Sequence, residues 1–381
     1  MDERWCLTGG RVIGDGGAQD AAIAIANGRI AAVGPASEEV AGTRGFDASG
    51  LLLAPGIVDV HGDGFERVLM PRLGVQVDLE TALMEVDAQL VANGITTAYL
   101  AVTVSWEPGL RSIETARALR AALTRLGPWL SADIRLQIRW EIFALDVVDE
   151  ITAWLQEAPS PVLAFNDHLT PLLEGQRRAA KFPELAKRAG ISEAEFAELV
   201  GRVAARSAEV PAAVEHLARA AGAAGVACFA HDERTPQERR RNRSIGIGVS
   251  EFPMTFDTAA EAVAAGEPTI LGAPNVLRGG SHTGAIDAEP AIRRGLCSAL
   301  ASDYYYPAQL RAVARLGLVA HWPVVSAGPA AAAGLRDRGV IASEGGRADV
   351  IALAETPSGP RIVAVWVGGR AVQLREPGRV R

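Results

Sequence analysis

Residues 55–67 read PGIVDVHGDGFER. An apolar run ends abruptly on His61, and Asp63 and Glu66 follow within five residues. Continuous apolar runs of this length read as strands buried on both faces. Such a strand has no packing reason to stop on an imidazole and two acids, so its end carries chemical information.

The same punctuation recurs along the chain. RLQIRWEIF contributes Glu141, VLAFNDH ends on His168 beside Asp167, VACFAHDE places His231 before Asp232, and CSALASDYYYP supplies Asp303. Strands are expected at 51–61, 95–102, 135–143, 161–168, 225–231, 246–252, 269–273 and 297–303, with helical stretches such as 108–127, 192–222 and 257–266 between them. Repeated strand-then-helix units imply a parallel sheet covered by helices. Eight such strands across residues 53–338 fit an α/β fold, a TIM-type (β/α)8 barrel. The competing doubly wound sheet lacks its Gly-x-Gly-x-x-Gly turn after a first strand. In a parallel barrel every strand C-terminus opens on one face, so residues far apart in sequence converge on one mouth.

The two ends of the chain have another character. AAIAIANGRIAAVG carries an Asn27-Gly28 hairpin signal between apolar runs, and ADVIALAETPSGPRIVAVWVGGRAV has two strand runs around a Pro/Gly/Ser turn. Neither end buries a face alone, so residues 1–52 and 339–381 are expected to combine as one small β-sandwich, with the barrel inserted between them.

Composition sets the outer limits. The 381 residues are 49% hydrophobic with a net charge of −7 and both signs interspersed, which argues against nucleic-acid binding. Three cysteines without Cys-x-x-Cys spacing read as buried reduced thiols in a cytoplasmic protein. The acidic start MDERWCLTGG does not read as a secretory signal, and no uninterrupted apolar window reaches membrane-spanning length.

Each polar strand end has an ordinary explanation. A lone histidine there is usually a satisfied hydrogen-bonding group, Asp303 alone would cap a helix, and Glu141 alone would make an ion pair at the mouth. Asp59 reads as structural, orienting the turn after Pro55-Gly56. The conjunction argues for a metal site: three histidines and three carboxylates exceed what one tetrahedral ion needs. Two divalent ions sharing a carboxylate account for the count, zinc first, with manganese and iron compatible. Such a pair lowers the pKa of a bound water and produces hydroxide near neutrality.

Taken together, these features resemble the amidohydrolase superfamily over essentially the whole chain. DRGVIASEGGRADVIAL is similar to that family's sandwich return strand. A narrower likeness is carried by APGIVDVHGDGFERVLMPR, NGITT, EFPMTFDTA, LGAPNVLRGGSHTG and ASDYYYPAQL, which resemble the phosphonate-metabolism diphosphatase branch, including its His-x-Asp on the first strand. The resemblance implies that His61, Asp63 and Asp303 hold one metal, that His168 and His231 hold the second, and that Glu141 bridges them. It also implies that Asp303 takes the proton from the nucleophilic water, and that the chain is a homo-oligomer. Gly64 and Arg67 stand where the branch carries Asn and Lys, at positions expected to line the pocket. The count puts Glu141 on the third strand and His168 on the fourth, one earlier than is usual in the superfamily. Either a strand is missing from the count, or 246–252 and 269–273 are not both barrel strands.

Substrate-side candidates are Arg72, beyond the first strand, and Arg278 and His282 in NVLRGGSHTG, where Gly279-Gly280 permits close backbone approach. The basic run ERRRNR at 238–243 reads first as a solvated face. The functional expectation is a small phosphorylated substrate whose phosphoanhydride is hydrolysed. The alternative is C–N hydrolysis, a deamination or cyclic-amide opening, at the same centre. A scaffold that kept the fold without catalysis is a third reading, opposed by the intact ligand set.

Overall fold

The computed structural model describes residues 3–14, 16–35, 43–72, 74–174, 178–281, 284–341 and 345–381. Two eight-stranded sheets organise it. The first is built from both ends of the chain: β1 (Trp5–Gly14), β2 (Gly17–Ala26), β3 (Arg29–Gly34), β4 (Arg44–Asp47) and β5 (Leu52–Pro55) from the start, and β14 (Val350–Ala354), β15 (Arg361–Val367) and β16 (Arg370–Leu374) from the end. Its order is β16-β15-β14-β5-β1-β2-β3, with β4 pairing on β1. Neighbours are antiparallel except for β1 with β4 and with β5, which are parallel. β15 lies three places from β1, about 14 Å away in a flat sheet, yet Trp5 of β1 and Trp366 of β15 bring their rings to 5.7 Å. The sheet therefore curls over its own apolar face, closing a core of Trp5, Leu7, Phe46, Leu53, Val350 and Trp366.

The second sheet is the barrel: β6 (Ile57–Gly62), β7 (Ile95–Val104), β8 (Asp133–Glu141), β9 (Val162–Asn166), β10 (Cys228–His231), β11 (Val249–Glu251), β12 (Thr269–Gly272) and β13 (Ala299–Ala301). They run in sequence order with every pairing parallel. Both 246–252 and 269–273 thus contain barrel strands, Glu141 ends the third, and His168 lies two residues beyond the end of the fourth. The run 51–61 is not one strand but two. It breaks at Gly56, where the chain steps from the terminal sheet into the barrel, and a Cβ at Gly56 would lie 2.1 Å from Thr96 Oγ1. Only glycine fits that crossing.

The barrel closes between β6 and β13 through a small set of polar contacts. The Asp303 N–H donates to the His61 carbonyl at 2.9 Å, and the Asp63 N–H donates to the Asp303 carbonyl at 3.0 Å. Asp59 accepts from the Ser302 N–H at 2.9 Å and from its hydroxyl at 2.5 Å, and Gln309 donates to the carbonyls of Val58 and Leu300. Asp59 is structural, as expected, but its task is to clip the seam, not to orient the turn before it. Gly64, expected to line the pocket, packs instead against the Tyr306 ring, where a Cβ would sit at 3.2 Å. Arg67 lies over the Tyr304 ring at 5.3 Å. Among the described residues, no helix is long and apolar enough to cross a membrane.

Candidate metal centre

The barrel interior is filled by Val58, Val60, Tyr99, Val162, Ala164, Phe229, Val249, Ile270, Ala299 and Ala301. Side chains along a strand alternate between its faces, so two residues further on each strand points inward again. That step leads from Phe229 to His231, from Val249 to Glu251 and from Ala301 to Asp303. The site is the uppermost layer of the barrel core, with polar chemistry replacing apolar packing. β6 departs from the pattern, because Val58 and Val60 already face inward. Its register shifts between Asp59 and Gly62, and that irregularity turns His61 inward as well.

Three groups of ligand atoms converge, each with its members within 4.8 Å of one another: His61, Asp63 and Asp303; His168, His231 and Asp232; and His61, His231 and Glu251. The first follows from the seam. The main chain of Asp303 is clamped between those of His61 and Asp63, which forces the three side chains together. Asp232, Phe252 and Asp303, all at strand ends, adopt φ of 58°, 54° and 55°. Such left-handed backbone in non-glycine residues persists where surrounding structure over-determines it. The Phe252 ring packs 4.9 Å from His61 and 5.4 Å from His231, walling off one side.

Glu251 is fully buried, and both of its oxygens are engaged by imidazoles. His61 Nδ1 donates to one at 2.9 Å and His231 Nδ1 to the other at 2.7 Å, while Gln137 adds a bond of 2.6 Å. Each ring therefore keeps Nε2 for the mouth. Burial works to lower both imidazole pKa values. At His61 the charge and hydrogen bond of Glu251, with the charge of Asp63, together overcome burial and the value rises, whereas at His231 burial prevails and the value falls. Glu251 itself is held well below the usual carboxylate range, its two histidines overcoming the cost of burial.

Glu141 belongs to none of the three groups. One oxygen meets His168 Nδ1 and the other accepts the His168 N–H at 3.2 Å. That pairing raises the His168 pKa and holds Glu141 down against its burial. Arg139, 5% exposed, stands between the first two groups, 3.6 Å from Asp63 and 3.3 Å from His231 Nε2. Asp303 is pushed up to about 6 by burial first and by the charge of Asp63 second. Two carboxylates held this close in a partly desolvated site suit a cation between them. The donor set of neutral imidazole Nε2 and carboxylate oxygens, at these spacings, fits zinc or a comparable divalent ion.

Of the substrate-side candidates, Arg278 lines a 190 Å³ cavity together with His61, Asp63, Arg139, His231 and Asp303. Arg72 is exposed and lines neither this cavity nor the larger one beside it. His282 lies outside the described residues. The larger cavity, 1220 Å³, reaches Glu141, His168 and His231 and carries Arg234 and Arg241 on its wall. The run 238–243 is mostly consumed by ion pairs: Arg239 with Glu233 and Glu267, Arg240 with Glu261, and Arg243 with both Glu261 and Glu267. Among the described residues, the guanidiniums of Arg234, Arg241 and Arg278 have no carboxylate partner, although the Arg234 main-chain N–H donates to Glu238. Sequence reasoning did not single out Glu251, Arg139 or Arg234.

No protein-family model matches the chain. It is 30% identical over 345 residues to the α-D-ribose 1-methylphosphonate 5-triphosphate diphosphatase of Escherichia coli (strain K12), a match covering 86% of this chain and 89% of that one. Among solved structures it is similar to molinate hydrolase, with a TM-score of 0.65 at 14% identity over 98% of this chain and 95% of the other. It is also similar to an adenosine deaminase from Xanthomonas campestris with bound zinc, with a TM-score of 0.61 at 14% identity over 98% and 94% of the two chains. With this barrel, this terminal sheet and that extent of shared sequence, the chain belongs to the amidohydrolase superfamily of hydrolases, in its α-D-ribose 1-methylphosphonate 5-triphosphate diphosphatase branch.

Proposed function

We propose that this chain hydrolyses a phosphoanhydride in a small ribosyl polyphosphate, releasing diphosphate, within phosphonate metabolism in the cytoplasm. The observation that carries the reading is the placement of Arg234, Arg241 and Arg278, their guanidiniums uncommitted to any carboxylate, on cavities that reach the ligand groups. A polyphosphate needs several cations in reach, and guanidinium forks suit its oxygens. The 1220 Å³ cavity has room for a ribosyl polyphosphate. The E. coli relative is named for a ribosyl triphosphate substrate.

His61, Asp63 and Asp303 would hold one divalent ion, and His168 and His231, with Asp232, a second. Zinc is our first choice. Bound there, the ions supply Lewis acidity and a water of lowered pKa. The remaining work falls to side chains. Glu251 fixes His61 and His231, and Glu141 fixes His168, so that every Nε2 faces the mouth. Asp303 accepts the proton of the attacking water. Arg139 and Arg278 neutralise charge at the reacting phosphoryl group, while Arg234 and Arg241 hold the rest of the chain of phosphates.

The test is turnover of the metal-loaded protein on ribosyl and nucleoside 5′-triphosphates beside cyclic amides and aminopurines. Diphosphate release is the expected result. Ammonia release or ring opening without diphosphate would replace this reading with C–N hydrolysis.

A further inference from the structure

Another cavity, of 540 Å³, opens at the N-terminal end of β8 and runs along that strand, between residues 120–132, residues 154–161 and the terminal sheet. Its lining follows β8 from Asp133 to Ile138, whose side chain points away from the inward column of Gln137, Arg139 and Glu141. The cavity shares no lining residue with the two cavities at the mouth and is separate from them.

Five arginines line it, Arg120, Arg135, Arg338, Arg347 and Arg370, against two carboxylates, Asp133 and Glu157. Asp133 is shared by Arg135 and the buried Arg338, and Arg338 also donates to Thr97 Oγ1 at 2.8 Å. Its Nε is buried without a hydrogen bond, with an Asp337 oxygen 3.4 Å off. Glu157 is taken by Arg120. Two guanidiniums remain only partly used. Arg347 reaches Asp349 through Nε, leaving both Nη groups without a hydrogen bond among the described residues. Among the described residues the exposed Arg370 side chain donates only to the Leu130 carbonyl, at 3.2 Å. The rest of the wall is apolar, from Leu123, Leu130, Trp154, Pro159 and Pro161.

We propose that this floor cavity is a second binding site, for a small phosphate ester. Ion pairs that merely sealed the barrel floor would balance their charges. Counting Asp337 and Asp349, which pair with Arg338 and Arg347 from outside the lining, five guanidiniums still face only four carboxylates, and the unused donors belong to Arg347 and Arg370. Cationic forks beside an apolar wall match a ligand with a phosphate at one end and a ring at the other. The volume is in the range that such ligands fill.

The site is tested by calorimetric titration of the metal-loaded full chain with AMP and, separately, with inorganic phosphate. Three proteins are compared: wild type, Arg347→Gln/Arg370→Gln at the floor, and Arg234→Gln/Arg241→Gln at the mouth. The floor pair leaves the Asp133 cluster intact but takes the guanidinium from buried Asp349, so its melting temperature is expected to fall, and a cooperative melt with unchanged far-UV circular dichroism shows that it folds. Saturable AMP binding that weakens at least tenfold in the floor pair and persists in the mouth pair supports the proposal. Stronger binding of AMP than of inorganic phosphate supports the ring-bearing ligand. No saturable binding up to about 10 mM, or AMP binding unchanged in the floor pair, overturns it.

Discussion

Glu251 accepts a hydrogen bond from Nδ1 of His61 at 2.9 Å, tying the sixth barrel strand to the first across the mouth. Its other oxygen serves His231 in the same way. One buried carboxylate thus sets the ring orientation of two candidate ligands and raises their basicity. Glu251→Gln keeps the volume but offers a single acceptor oxygen, so one imidazole loses its partner. Metal affinity is expected to fall about 10- to 100-fold, with far-UV circular dichroism unchanged. Competition against a chromophoric chelator measures this, and wild-type affinity in the variant would remove Glu251 from the orienting role.

Asp303 stands where a proton acceptor is needed, beside the first ligand group and at the barrel seam. Its backbone, not its side chain, makes the bonds that close the seam. Asp303→Asn is therefore expected to fold and to retain most of its metal. Loss of the acceptor should lower kcat roughly 10²- to 10⁴-fold while KM changes little. Metal content measured alongside steady-state kinetics separates the two effects. Wild-type kcat in a metal-replete variant would show that another group takes the proton.

The part of the site that was legible in the sequence is the part written at strand ends. His61, His231 and Asp303 each follow an apolar run, and the barrel carries such residues to one layer. Glu251 obeys the same rule, but it falls inside the expected strand 246–252 and not at its end, whereas the observed strand stops at Glu251. The column Gln137, Arg139, Glu141, alternating with Leu136, Ile138 and Trp140, was visible as a period of two and marks a polar inward face. Which acids orient and which ligate depends on distances across the barrel, such as Glu141 to His168, and local pattern does not encode them. The irregularity that turns His61 inward likewise depends on pairing with β7.

Gly56 marks the passage between the two sheets. A Cβ there would approach Thr96 Oγ1 at 2.1 Å and Thr96 Cβ at 2.8 Å, and the latter atom is fixed to buried backbone. Gly56→Ala is expected to cost roughly 1–3 kcal/mol or more, read from the midpoint of urea unfolding. Adding Thr96→Ala should recover part of the loss by removing the two nearest atoms. A variant as stable as wild type would mean that the crossing has room to spare.

Cys228 and Cys297 are buried in the barrel wall, and burial pushes both thiols up to about 12 from an ordinary value of 9. At pH 8 the thiolate fraction in the folded protein is then on the order of 10⁻⁴. A water-soluble thiol reagent should leave both unlabelled until denaturant is added, and rapid native labelling would contradict their burial. The same shift has a consequence for stability. The folded state retains these protons above pH 9 while the unfolded chain releases them, so stability falls as pH rises from 9 toward 12. The urea midpoint is expected to drop between pH 8 and pH 10.5. The drop should shrink in the Cys228→Ala/Cys297→Ala variant, whose lower stability at pH 8, from lost packing, serves as its own baseline. An equal drop in both proteins would assign the alkaline loss to other groups.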